Sequence, residues 1–214
     1  MQVILLDIEG TTTDVAFVHD VLFPVSYDGL PAFVAAHPDD PDVAAARARV
    51  GDADLVSTLR EWILDDRKET VLKQLQGRIW EQSYQDGSLR SHVYDDVLPA
   101  LLRWVATGRQ VYIYSSGSIG AQLLLFQHTV AGDLTSLITG YFDTTTGPKR
   151  EPHSYAAIAR AIGVDPADVW FLSDVEAELD AAAMTGMGTV QLLRPGHPTA
   201  STRHPTAQTF EELG

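Results

Sequence analysis

Near the start of the chain four apolar residues in a row, Val3-Ile4-Leu5-Leu6, run straight into Asp7, and Glu9 follows two residues later. The run is too short for a helix of its own and reads as a buried β-strand. Gly10 and the threonines Thr11 to Thr13 break the pattern and open a loop. In an open α/β sheet, ligands bind just beyond the carboxyl ends of strands. Asp7 and Glu9 stand at such an end, and in extended geometry residues two apart leave on the same side. Two carboxylates so close repel unless a cation lies between them or one takes a proton. Mg²⁺, which prefers oxygen ligands, meets that demand. An isolated Asp-x-Glu is more often a strand that ends in solvent, so the rest of the chain decides.

After the threonines, Phe17, Val18, Val21 and Leu22 recur at helical spacing, and Pro24 is expected to stop that pattern. Leu30, Phe33 and Val34 form a second short helical face, followed by a proline-broken polar loop from His37 to Asp42. From Asp52 the pattern is helical, with stripes at Leu55, Leu59, Trp62 and Ile63 and at Val71, Leu72, Leu75 and Ile79. No strand signal occurs between Phe17 and about Tyr94. The block therefore reads as an all-helical cap, residues 17–96, inserted into an α/β core of residues 1–16 and 97–214. Lys73, Trp80 and Tyr84 could face a substrate there, or be ordinary core and surface.

Strand and helix signals alternate in the second half. A helix from Asp96 to Thr107 precedes the β run Val111-Tyr112-Ile113-Tyr114, which ends in Ser115-Ser116-Gly117-Ser118 and leads into a helix. Hydroxyls and free N–H groups at a helix start can hold a phosphate, although serine there can simply cap the helix. Leu137-Ile138 with Tyr141-Phe142 suggests a weaker third strand, and Lys149 follows a loop. Val169-Trp170-Phe171-Leu172 is a fourth strand, ending in Ser173-Asp174 with Glu176 and Glu178 beyond. Thr189 to Leu193 is a fifth. The tail from Arg194 reads as peripheral. Such alternation implies a parallel, Rossmann-like sheet with crossover helices, which the first strand joins across the cap.

Strand ends and adjacent loops thus supply Asp7 and Glu9, Ser115, Lys149 and Asp174. A second acid at a strand end could complete an oxygen cage with the first pair. The set suits phosphoryl transfer to a carboxylate, which forms an aspartyl-phosphate that water then cleaves. Catalysis of that kind rests on positioning and positive charge, here from Mg²⁺ and Lys149. Ser115 and nearby amides would hold phosphate oxygens, and a second acid must protonate the leaving oxygen.

The formal net charge of −14 argues against nonspecific binding to nucleic acid or anionic membranes. Cysteine is absent, which excludes disulfides and thiol chemistry. No apolar run approaches membrane-spanning length, and Asp7 falls inside what would be the core of an export signal. A monomer working in the cytoplasm is expected.

The opening segment from Asp7 to Thr13, together with Leu22-Phe23-Pro24, Leu72-Lys73-Gln74-Leu75-Gln76-Gly77, Tyr112 to Ser118 and Leu172-Ser173-Asp174-Val175, resembles the haloacid dehalogenase superfamily, and within it the enolase-phosphatase family of methionine salvage. The similarity runs to about Gly196. It implies an Mg²⁺-dependent hydrolase of a phosphorylated diketone, with Asp7 as nucleophile. Asp7, Glu9 and Asp174 would bind the metal, and Ser115, Ser116 and Lys149 would contact substrate. Glu9 stands where the superfamily has aspartate, and Glu178 is the candidate supporting acid. The competing readings are a phosphatase of the same superfamily without an enolase step, a binding protein that has lost turnover, and a metal-free dehalogenase.

Overall fold

The computed structural model describes residues 2–196 and 199–213. In chain order the elements are β1 (Val3–Leu6), α1 (Val15–Phe17), a π-helical turn (Val18–Leu22), α2 (Phe23–Ala36), α3 (Pro41–Val50), α4 (Leu55–Leu64), α5 (Thr70–Gln85), α6 (Val97–Ala106), β2 (Gln110–Tyr114), α7 (Ile119–Gln127), β3 (Gly140–Phe142), α8 (Pro152–Ile162), β4 (Val169–Ser173), α9 (Glu176–Ala183), β5 (Gly188–Leu192) and β6 (Thr206–Ala207). They fall into two compact units. One holds the residues up to Val15 and those from Ser91 onward; the other is Ala16–Arg90.

The first unit is an α/β layer structure. Its strands are all parallel, in the order β3-β2-β1-β4-β5-β6. β1 lies at the centre because every residue of it is buried. Alternation sorts its side chains: Ile4 and Leu6 face α6, α7 and the tail, while Val3 and Leu5 face α8 and α9. The chain turns from one side of β1 to the other between β3 and β4. Such a switch point opens a crevice at the carboxyl ends of β1 and β4.

Residues 91–96, assigned to the cap by sequence, group with the sheet. Thr13 Oγ1 donates to the His92 carbonyl, and Tyr94 N–H donates to the Thr12 carbonyl. The tail is not peripheral. β6 adds a strand beside β5, and Phe210 is fully buried against Trp104. Residues 197 and 198 of that tail lie outside the described residues. Leu137 and Ile138 are not in a strand: a 3₁₀ turn covers Thr135–Leu137, and β3 is only three residues long.

The second unit is helical, with a core built from Leu30, Phe33, Leu59, Trp62, Leu72 and Leu75 among others. Pro24 does not end its first helix. It sits at the start of α2, where a missing N–H costs nothing, and the π turn leads directly into it. Pro31 lies inside α2 and cannot donate to the Tyr27 carbonyl one turn back. Arg60 Nε supplies that hydrogen bond at 2.9 Å, with its guanidinium over the Tyr27 ring. Of the residues considered for substrate contact, Tyr84 is core, Lys73 is exposed, and the Trp80 indole N–H is taken by the Leu22 carbonyl. No helix among the described residues is long and apolar enough to cross a membrane.

Candidate active site

β1 delivers Asp7 to the carboxyl edge of the sheet, on the face shared with Val3 and Leu5. Its N–H completes the ladder to Leu172, and the chain leaves extended geometry immediately after. The Ile8 carbonyl then accepts from the N–H groups of Thr11, Thr12 and Thr13, which curls the loop tightly. Gly10 adopts a φ of 69°, which a residue with a Cβ resists. The two acids differ in burial: Glu9 is exposed, whereas Asp7 is buried.

The Asp7 carboxylate is held on both oxygens. Oδ1 accepts from Lys149 Nζ at 2.6 Å and from the Ile8 N–H at 2.7 Å, and Oδ2 accepts from Ser173 Oγ at 2.8 Å. Lys149 Nζ also pairs with Glu178 Oε2 at 2.7 Å. The loop before α8 aims this lysine by its carbonyls. Tyr114 OH donates to Gly147 O, Ser154 Oγ to Pro148 O, and Tyr155 OH to Lys149 O. Gly147 must be glycine, since a Cβ there would lie 2.2 Å from Ser154 Oγ. Burial alone would lower the Lys149 pKa, but Asp7 and Glu178 outweigh it, so the ammonium titrates above its ordinary range. Glu178 is pushed up by burial and by Asp7, with Lys149 opposing.

Asp174 follows β4, beside Asp7. Its carboxyl is pushed from 3.8 to about 7, first by burial, then by the charge of Asp7, with a smaller contribution from Glu9. The acids assigned from sequence therefore feel one another, although among the described residues no group of three or more His, Asp or Glu forms a ready-made metal cage. The donor chemistry fits a hard cation. All candidate ligands are oxygens, and the cost of ionising Asp174 beside Asp7 is the cost that a divalent ion removes.

Ser115 lies at the carboxyl end of β2, next to β1 in the sheet, and is buried; Ser116 is exposed. Neither is consumed in capping α7, since Ser118 caps it by accepting from the Ala121 N–H. Ser115 Oγ accepts from the Gly117 N–H. Sequence reasoning gave no role to Ser173, which bridges Asp7 and Glu178, nor to Thr11, Gln191 and Arg194 around Asp174. The position of Ser173 between a buried strand and an acid was the available signal for the first; buried single polar residues leave none for the others.

These features match known proteins. A family model for haloacid dehalogenase-like hydrolases matches residues 1–186. The chain is 54% identical to a Sorangium cellulosum protein named Enolase-phosphatase E1, over 99% of this chain and 97% of that one. It is 51% identical to a protein of the same name from Pseudomonas aeruginosa, over 100% and 98%. Among solved structures, the UTR4 protein of Saccharomyces cerevisiae superposes with a TM-score of 0.86 at 37% identity, over 98% of each chain. Matched by that model over most of its length and to those relatives over nearly all of it, the chain belongs to the haloacid dehalogenase-like hydrolases.

Proposed function

We propose that this chain is a bifunctional enolase-phosphatase of methionine salvage, an acireductone synthase. It converts 2,3-diketo-5-methylthiopentyl-1-phosphate to 1,2-dihydroxy-3-keto-5-methylthiopentene and phosphate. The observation that carries the reading is the buried Asp7 carboxylate, held by Lys149 and Ser173 at a switch point of the sheet. The enolase half is supported by the name of relatives that match the chain end to end.

In the first half-reaction a proton leaves the carbon that bears the phosphate, and the electrons move onto the neighbouring carbonyl oxygen as an enolate. Glu9 is the base in this reading: it is exposed beside the Asp7 loop, with a longer arm than aspartate. In the second, Asp7 attacks phosphorus, the bond to the substrate oxygen breaks, and Glu9 returns its proton to that oxygen. Water then cleaves the aspartyl-phosphate. Lys149 fixes the nucleophile and offsets charge on the phosphoryl oxygens, while Ser115 and Ser116 hold them. Asp7, Glu9 and Asp174 would hold Mg²⁺, which when bound would supply Lewis-acid polarisation of the carbonyl and positive charge opposite the phosphoryl group. We read it as a monomer working in the cytoplasm.

The test is time-resolved NMR of the reaction in D₂O. Deuterium should enter the phosphate-bearing carbon, or a phosphorylated enol should build up, before inorganic phosphate appears. Phosphate release ahead of both signals would leave a plain phosphatase acting on another small phosphomonoester.

A further inference from the structure

We infer that Thr11, Gln191 and Arg194 are positioning residues that fix where Asp174 presents its carboxylate to the cation; the inference rests on the reading of Asp174 as a cation ligand. Asp174 stands at the joint between β4 and α9, where one peptide of freedom swings the side chain. Both of its own main-chain groups are gripped. The N–H donates to Thr11 Oγ1 at 3.1 Å, and the carbonyl accepts from Gln191 Nε2 at 3.1 Å. With the peptides on either side of the Cα tied, the direction of the Cα–Cβ bond is set.

The two grips are themselves anchored. Thr11 is fully buried, and its carbonyl accepts from Arg194 Nε at 2.9 Å. Arg194 is locked in turn by Asp96 Oδ2 at 2.9 Å and the Gln208 carbonyl, between the rings of Tyr94 and Phe210. Gln191 lies beside Ser173 in the β4–β5 register, and its Oε1 accepts from the Ser201 N–H at 2.6 Å. The carboxy-terminal tail thus reaches the cation site by two routes. One runs through Arg194 and Thr11 and the other through Gln191, and they meet at the same residue. A carboxylate must be held to about half an ångström to bind a small octahedral ion well.

The experiment is calorimetric titration of metal-free, full-length protein with MgCl₂, alongside phosphate release at rising Mg²⁺. Thr11→Val keeps the shape and removes the acceptor; Thr11→Ser keeps the acceptor; Gln191→Met keeps the length and removes the donor. Thr11→Val and Gln191→Met should each weaken Mg²⁺ binding about 10- to 100-fold, as loss of such outer partners does. Thr11→Ser should bind like wild type, and saturating Mg²⁺ should restore kcat in all three. Asp174→Asn is the reference. If it binds Mg²⁺ as wild type does, the assignment of Asp174 as a ligand falls. If it weakens binding while Thr11→Val and Gln191→Met do not, the positioning inference alone is overturned. That inference also falls if kcat drops, Mg²⁺ affinity is unchanged, and saturating Mg²⁺ gives no recovery. Should Thr11→Val fail to fold, Gln191→Met decides.

Discussion

Replacing Lys149 with methionine removes the cation that faces two carboxylates and keeps most of the aliphatic length. The three side chains are nearly buried: 9% of Lys149, 6% of Asp7 and 11% of Glu178 is exposed. At separations of 2.6 and 2.7 Å each pair attracts by several kcal/mol even at an effective dielectric of about 20. Desolvation takes back much of this, and removing one partner from a buried pair costs about 3–5 kcal/mol in practice. For a domain of this size that is a fall in Tm of roughly 6–20 °C. The deficit depends on pH. Glu178 already titrates above its ordinary range, through burial and Asp7. Without Lys149 the folded-state pKa of Glu178 rises further above its unfolded value. An acid raised in this way loses stability as pH climbs from the unfolded to the folded pKa, and not below. Thermal melts in EDTA should therefore show a small gap between wild type and Lys149→Met near pH 5 and a large one near pH 8. Equal gaps at both pH values would mean that Lys149 acts by packing alone, and its role as the counter-charge to the nucleophile would be wrong.

Ser173→Ala removes the donor to Asp7 Oδ2 and should lower the rate of phosphate release about tenfold or more, at about 1–3 kcal/mol of stability; an unchanged rate would show that Ser173 does not orient the nucleophile. Arg194→Met leaves Asp96 buried without its cation and should shift the urea midpoint by an amount worth about 3–5 kcal/mol; a shift below about 1 kcal/mol would return the tail to the periphery.

The strands that position the site were legible because they are buried on both faces. Val3 to Leu6 and Val169 to Leu172 are continuous apolar runs that no exposed element could carry, and each stops at an acid or one residue short of it. Where burial is partial the reading weakens. α3 turns only Val43 and Ala46 inward, so its alanine-rich pattern gave no stripe, and Pro41 looked like a loop although it opens the helix. β6 is two residues long and carries one buried side chain, Ala207, too little to register as period-two alternation. Asp7 and Asp174 could be paired from sequence because strand ends of a parallel sheet converge. Glu9 could not be placed, because alternation holds only while the chain stays extended and β1 ends at Leu6. Lys149 was legible only through topology. The three hydrogen bonds that aim it come from Tyr114, Ser154 and Tyr155, residues whose hydroxyls look like ordinary core edges in the sequence.

The charge of −14 makes an anionic substrate seem misplaced, and the site itself adds to the difficulty. Asp7 and Glu178 both pair with one ammonium, that of Lys149, and Asp174 feels the charges of Asp7 and, less, of Glu9. Without a cation the site limits its own repulsion by holding protons, which is what an Asp174 pushed up to about 7 by burial and by Asp7 represents. A phosphate dianion entering that field gains one partner and meets several like charges. A divalent ion among the carboxylates reverses the balance, so cation and phosphate should bind together better than either does alone. Binding free energies are reciprocal: the factor by which Mg²⁺ tightens inorganic phosphate must equal the factor by which phosphate tightens Mg²⁺. For a coupling of about 1–3 kcal/mol that factor is about 5- to 150-fold. Calorimetric titrations of phosphate with and without Mg²⁺, and of Mg²⁺ with and without phosphate, give it twice from independent data. The coupling should shrink in Asp174→Asn, which removes a carboxylate on the cation's side of the balance. A factor near one in wild type would mean that the cation does not lie between the carboxylates and the phosphoryl group, and that Lys149 alone meets the phosphate.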